Sequence, residues 1–136
     1  MAILQWDDWY ETGILSIDHQ HEGMFDALNR VYEAISTGEA EARLGHALDS
    51  LIDRTTMHFK EEEARMAAIA FPGLPDHQAE HTKLLQQVAE YMAAYQAEPT
   101  ADHATELALF LVEWIVRHIN QMDKKYVAAM QARGVT

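Results

Sequence analysis

The sequence predicts an all-α fold, an antiparallel up-down-up-down four-helix bundle with a non-helical arm at its N-terminus. Four segments repeat their apolar residues every 3.6 positions, as amphipathic helices do. Three short breaks containing glycine, proline or threonine separate these segments, and no segment reads as a strand. Because short loops join consecutive helices, the helices should pack as antiparallel neighbours. The length of 136 residues suits one domain, which we expect to span residues 1–136.

The arm comprises residues 1–16, which contain Trp6, Trp9 and Tyr10 but show no helical period. We expect these aromatic rings to pack on the bundle. The first helix is predicted over residues 17–36 and is followed by a break at Thr37 and Gly38. Its buried face comprises His21, Met24, Phe25, Leu28, Val31, Tyr32 and Ile35.

The second helix is predicted over residues 40–69, before a break that runs from Phe71 to Pro75. Its buried face comprises Leu44, Leu48, Leu51, Thr55, His58, Glu62 and Met66. The third helix is predicted over residues 75–96, because Pro75 is well placed in a first helical turn. Its buried face comprises His77, His81, Leu84, Val88, Tyr91 and Tyr95.

The fourth helix is predicted over residues 101–132, after a break at Glu98, Pro99 and Thr100. Its buried face comprises Leu107, Leu111, Trp114, His118, Met122 and Tyr126. Each of the four stripes therefore faces the same core.

Composition excludes several classes of protein. The 10 Lys and Arg against 22 Asp and Glu give a net charge of −12, which would repel nucleic acids and anionic lipid surfaces. The absence of cysteine excludes zinc fingers and iron–sulfur sites, so any metal must be bound by imidazole, carboxylate or water. No signal peptide or membrane span of about 20 apolar residues is visible, so we expect a soluble, cytoplasmic protein.

Polar residues interrupt the apolar stripes, although a buried imidazole or carboxylate costs free energy unless it finds a partner. These residues, together with the nearby Asp123, are His21, His58, Glu62, His77, His81 and His118. A spacing of four places His58 with Glu62, and His77 with His81, on one side of a helix. The up-down-up-down topology brings all seven to one end of the bundle. Seven donors exceed the needs of one tetrahedral zinc and suit a carboxylate-bridged pair of iron, manganese or zinc ions.

Four motifs carry a resemblance to a known family. They are DHQHEGMF at 18–25, HFKEEEARM at 58–66, HQAEH at 77–81 and WIVRHINQMDKKY at 114–126. Together they resemble the hemerythrins, in particular the single-domain bacterial hemerythrins, over essentially the whole chain. The resemblance implies two non-haem iron ions (Fe2+/Fe3+) with an oxo or hydroxo bridge.

The resemblance also implies the role of each ligand. His77, His81 and His118 would bind one iron, and His21 and His58 the other, with Glu62 and Asp123 as bridges. The iron with two histidines would keep an open position, where dioxygen binds. The implied lining of the oxygen pocket is Met24, Phe59, Trp114, Ile115 and Ile119.

The function implied is reversible dioxygen binding for storage, transport or delivery, by a monomer that is not an enzyme. An oxygen-consuming enzyme is the recipient that we consider. A ferritin-like oxidase or oxygenase is disfavoured because the apolar faces lack its paired ExxH motifs. An oxygen or redox sensor is the main alternative, and it would need a separate partner because no output domain precedes Thr136. Roles in iron or nitric oxide handling stay open.

Residues around the site are expected to divide into two groups. We expect His19, His46 and His103 to lie at the surface, and Glu61 and Glu63 to form a solvated face.

Metal-bound imidazoles normally donate their second N–H to another group. We expect backbone carbonyls or residues of neighbouring helices to accept these hydrogen bonds, rather than Glu22 and Glu80.

The spacing of His118 and Asp123 does not fit an ordinary helix. The two residues are five apart, and on a regular α-helix they diverge by roughly 140°. A single-turn π-bulge would align them. We favour a regular helix in which the Asp123 side chain leans back toward the helix N-terminus.

Overall fold

The protein is a bundle of four long helices, as shown by a computed structural model that describes residues 5–38 and 41–134. The helices are α1 (Leu15–Ser36), α2 (Glu41–Ala68), α3 (Leu74–Ala97) and α4 (Ala101–Gln121), followed by the short α5 (Val127–Ala132). Helix α1 contacts α2 and α4, and α3 contacts the same two helices, which closes the bundle. The described ranges contain no strand, and this confirms the predicted all-α bundle. No helix in these ranges combines the length and the apolar character needed to cross a bilayer.

The N-terminal arm packs on the bundle through two of its three aromatic rings. The ring centroids of Trp6 and Tyr10 lie 5.2 and 5.0 Å from that of Phe25, in edge-to-face arrangements. Trp9 is 60% exposed, so the expectation that it packs on the bundle was wrong. The arm also contains one 3-10 turn, Asp8–Tyr10, which the sequence pattern did not predict. Residues 1–4 of the arm, and position 40 of the predicted second helix, lie outside the described residues.

A buried carboxylate joins the arm to α1. Asp18, in the first turns of α1, accepts hydrogen bonds from the backbone N–H and the hydroxyl of Thr12, both at 2.8 Å. The backbone N–H of Gly13 donates to the same carboxylate at 3.3 Å. These bonds fix the start of α1, and with it the position of His21 one turn later.

Helix α2 ends in a Schellman motif with an alanine at the left-handed position. Ala70 has a φ of 51°. The N–H of Phe71 donates to the carbonyl of Met66 at 2.9 Å, and the N–H of Ala70 donates to that of Ala67 at 3.1 Å. At Gly73, a Cβ would lie 2.6 Å from the ring of Phe71, so a larger residue there would force this ring to move.

The seven polar residues singled out from the sequence form a layer across the bundle, which we call the polar layer. One apolar cluster lies on each side of it. The larger cluster fills the bundle and includes Leu28, Leu48, Leu84 and Leu107. The smaller cluster comprises Ile14, Ile17, Met66, Tyr126 and Met130. Along α1, along α2 and along residues 101–132, the polar residues come between members of the two clusters. The polar layer is therefore sealed from solvent on both sides.

The single fourth helix predicted over residues 101–132 was wrong. Helix α4 ends at Gln121, a 3-10 turn spans Asp123–Lys125, and α5 follows. The N–H of Met122 still bonds to the carbonyl of His118 at 2.8 Å, but the N–H of Tyr126 bonds to that of Asp123 at 3.3 Å. Neither the favoured regular helix nor a π-bulge is formed. The break turns the Asp123 side chain into the core, which a regular helix would not do.

Candidate metal centre

Five imidazoles and two carboxylates meet at one end of the bundle, and each residue is at most 5% exposed. Their donor atoms form two overlapping groups in which the atoms lie within 4.8 Å of one another. We call His77, His81 and His118 the three-histidine half, and His21 and His58 the two-histidine half. Glu62 and Asp123 belong to both groups. The structure thus brings together all seven residues that the sequence singled out.

The carboxylate of Glu62 offers one oxygen to each half. Its Oε1 lies 2.8 Å from Nε2 of His77 and 3.2 Å from Nε2 of His81. Its Oε2 lies 2.9 Å from Nε2 of His58. Glu62 therefore spans the two halves.

The carboxylate of Asp123 spans the halves in the same way. Its Oδ1 lies 2.8 Å from Nε2 of His118 and 2.9 Å from Nε2 of His77. Its Oδ2 lies 3.0 Å from Nε2 of His21. The two carboxylates consequently form a double link between the halves.

The imidazoles within each half are separated as ligands of a common ion would be. The Nε2 atoms of His21 and His58 are 3.0 Å apart. The Nε2 atom of His118 lies 3.0 Å from that of His77 and 3.1 Å from that of His81. Two nitrogens bound at right angles, each about 2.1 Å from a metal ion, would be about 3.0 Å apart. Each half therefore fits one ion.

The oxygen atoms give an independent test of this fit. Oε1 of Glu62 and both carboxylate oxygens of Asp123 are buried and have no hydrogen-bond partner, although imidazole nitrogens lie close to them. The distances between these oxygens and the imidazole nitrogens are short, but the atoms are not aligned for hydrogen bonds. The oxygens and nitrogens instead surround common points, as the ligands of a metal ion do. Buried carboxylates need a compensating charge, and a mixed imidazole and carboxylate set suits non-haem iron.

The electrostatics of the cluster favour a positive charge at its centre. Burial acts to raise the pKa of Asp123, but the imidazole of His118 holds it well below its usual range. Burial and the charge of Asp123 likewise act to raise the pKa of Glu62, but His58 and His77 outweigh them and lower it. Burial lowers the pKa of His77, yet its interactions with Asp123 and Glu62 raise it to about 9. Metal ions would replace protons on these imidazoles.

Two of the imidazoles donate their outer N–H to a residue of the preceding helix. Nδ1 of His58 bonds to Oε1 of Gln20 at 2.6 Å, and the amide nitrogen of Gln20 donates to Glu61. Nδ1 of His81 bonds to Oε2 of Glu63 at 2.8 Å. Because Nδ1 carries the proton, the lone pair of Nε2 points into the centre.

These contacts confirm, for His58 and His81, the expectation that neighbouring helices provide the acceptors. The expectation that Glu63 belongs to a solvated face was wrong, because Glu63 is half-buried against His81. Glu61 is exposed as expected, but it also holds Gln20 in place. Spacing within one helix could not reveal either contact.

The match to protein families agrees with this geometry. The model of the Hemerythrin HHE cation binding domain matches residues 12–130. The chain belongs to the hemerythrin family.

Individual relatives are similar to this chain over nearly its whole length. A bacteriohemerythrin of Methylococcus capsulatus is 32% identical over 133 residues, which cover 97% of this chain and 100% of the relative. One of Stenotrophomonas maltophilia is 33% identical over 132 residues, which cover 97% of this chain and 84% of the relative. The crystal structure of a wild-type hemerythrin superposes with a TM-score of 0.83 at 31% identity and covers 95% of this chain and 98% of the other.

The apolar residues beside the centre line a small cavity that has no room for a water molecule in this structure. It is lined by the five predicted pocket residues and by four of the polar ones: Met24, Phe59, Trp114, Ile115, Ile119, His21, His58, His118 and Asp123. Two lining rings also stack on imidazoles. Phe59 lies on His81 at 3.7 Å between ring centroids, and Trp114 lies on His118 at 4.2 Å. The stacking fixes the planes of these two imidazoles.

A buried tyrosine supports the centre in a role that the sequence did not reveal. The hydroxyl of Tyr126 donates to Oε2 of Glu62 at 2.8 Å, and burial raises the pKa of Tyr126 well above its usual value. The pattern placed Tyr126 only in a buried stripe. In the sequence, the signal for a role at the centre was its position three residues after Asp123.

The remaining histidines do not belong to either donor group. His19 and His46 are exposed, as expected. His103 is half-buried, and its Nδ1 lies 2.7 Å from the carbonyl oxygen of Glu98, at the start of α4. It therefore has a local role at the helix terminus.

Proposed function

We propose that the chain binds dioxygen reversibly at a centre of two non-haem iron ions, and so stores, transports or delivers it. The observation that carries this proposal is that an apolar cavity adjoins the half of the site with fewer donors. Of the five imidazoles, the cavity touches both of the two-histidine half, His21 and His58, but only His118 of the other half.

The donor count of each half supports an open position at one ion. The three-histidine half offers three nitrogens and two carboxylate oxygens, whereas the two-histidine half offers two nitrogens and two oxygens. With one further shared ligand from solvent, an ion in the first set would have six donors and an ion in the second would have five, which would leave one position vacant at the second. A bound ferrous pair would supply that position and the electrons that dioxygen binding requires.

The chain's own side chains supply the surroundings that reversibility requires. Glu62 and Asp123 hold the two halves together, and Gln20 and Glu63 orient the imidazoles of the ligands that they contact. The apolar cavity side chains offer no proton donor except the indole N–H of Trp114. Water and protons are thereby kept from the vacant position.

An oxygen titration tests the proposal. The iron-loaded, reduced protein is titrated with dioxygen under anaerobic conditions, and its visible absorption is followed until argon removes the gas. We expect one dioxygen per two irons and full return of the spectrum. The variant His58→Ala should lose this response, whereas His46→Ala, at the exposed surface, should keep it. A protein with two irons and no reversible spectral change would refute the proposal.

A further inference from the structure

In each half, one imidazole donates its Nδ1–H to a residue outside the cluster, and the two acceptors differ in charge. In the three-histidine half, Nδ1 of His81 donates to the carboxylate of Glu63 at 2.8 Å. In the two-histidine half, Nδ1 of His58 donates to the neutral amide oxygen of Gln20 at 2.6 Å. The two imidazoles are otherwise comparable, because each is buried and each faces an oxygen of Glu62 through Nε2.

The neutral acceptor is held in place by its own partner. The side-chain nitrogen of Gln20 donates to the carboxylate of Glu61, which can only accept. The amide oxygen must therefore face His58, and the amide cannot rotate without losing both bonds. Glu61 is exposed, so solvent screens its charge.

The charged acceptor acts at close range. The side chain of Glu63 is 26% exposed, and its carboxylate is in direct contact with the imidazole. A carboxylate that accepts from a ligand imidazole makes that imidazole a stronger donor to a metal, and a neutral amide does so much less. Loss of such a partner typically costs about 10- to 100-fold in metal affinity.

We propose that Glu63 and Gln20 widen the difference in metal affinity that the unequal donor counts already create, because Glu63 strengthens metal binding by the three-histidine half and Gln20 gives the two-histidine half no such support. The inference rests on the proposed two-metal centre. It gives the centre an order of loading: the three-histidine half fills first, and the half beside the apolar cavity fills last and empties first.

Titration of the metal-free protein with Co²⁺ tests the order without any oxygen chemistry. Visible absorption of the bound ion reports each binding step. In the wild type we expect two steps of different affinity. Glu63→Gln should weaken the first step by about tenfold or more. The matched control is Glu80→Gln, which removes the same charge from a residue that neighbours His81 in sequence and makes no hydrogen bond to the ligands among the described residues.

A charge swap tests the other half. Gln20→Glu combined with Glu61→Gln leaves the net charge unchanged but places the carboxylate against His58, with the new amide still able to donate to it. We expect the second step to strengthen by about tenfold. Circular dichroism and urea unfolding of each metal-free variant check that the fold is retained.

The outcomes separate the two proposals. A wild type that binds one Co²⁺ would overturn both the two-metal centre and this inference. Two bound ions, with Glu63→Gln no different from Glu80→Gln, would overturn only the role of Glu63 and the inequality that depends on it. Likewise, a swapped pair that leaves the second step unchanged would contradict the role of Gln20.

Discussion

The carboxylate of Asp123 lies 2.8 Å from Nε2 of His118, and helix α4 ends between these two residues. Met122 has a φ of −101°, and from this point the backbone continues as a 3-10 turn. The change of direction brings two side chains that are five apart in sequence to the same point. The carboxylate that links the halves therefore depends on a helix break.

Replacing Asp123 with asparagine should weaken metal binding by more than about tenfold, because it removes a charged donor that both halves share. Iron retained per chain after challenge with a chelator measures this. The control Asp76→Asn alters an exposed carboxylate at the start of α3. Equal iron retention by the two variants would contradict the assignment of Asp123.

The native protein should bind two iron ions per chain, and their removal should lower its melting temperature. A ligand present at 100 times its dissociation constant stabilises the folded state by about 2.7 kcal/mol per site. Helix content should survive removal, because the larger apolar cluster does not depend on the polar layer. Elemental analysis and thermal unfolding by circular dichroism provide the measurements. One bound zinc with full stability would speak against the two-iron centre.

Tyr126→Phe should destabilise the metal-free protein by about 1.5–3 kcal/mol, the cost of losing a hydrogen bond to a buried charged group. The ring and its packing are kept, so the effect reports the bond to Glu62. Urea unfolding gives the free energy. In the control Tyr91→Phe, the stack on Phe110 is kept and little change is expected. A similar small change in both variants would show that the bond contributes no net stability.

Ile115→Thr should speed autoxidation of the oxygenated protein. The substitution places a hydroxyl in the apolar cavity, next to the two-histidine half. The rate is followed by the decay of the oxygenated spectrum in air. Val116→Thr is the matched control, because Val116 lies outside the residues that line this cavity. Identical decay rates would contradict the proposal that Ile115 lines an oxygen pocket.

Ala70→Gly should stabilise the protein by about 0.5–1 kcal/mol. Ala70 occupies the left-handed region with a φ of 51°, which costs an alanine about 1–2 kcal/mol and glycine little. Part of the gain is offset by the greater freedom of glycine in the unfolded chain. The opposite sign is expected for Ala64→Gly, an exposed position inside α2, with a loss of about 1 kcal/mol. Chemical denaturation of both variants decides the point.

The sequence by itself determined the four-helix bundle and the set of seven polar residues that meet at one end. Both follow from rules that act within one helix or along the chain. The 3.6-residue period places His58 beside Glu62 and His77 beside His81, and the alternating chain direction brings these pairs to the same end.

Only the tertiary structure decided which residues support the ligands and how Asp123 reaches them. The bonds from His58 to Gln20 and from His81 to Glu63 cross between helices, so they depend on how each helix is rotated against its neighbour. The break after Gln121 likewise arises from packing. Contacts of the Asp123 carboxylate with the imidazoles of His118, His77 and His21 replace the regular hydrogen bonds that local propensity would have continued.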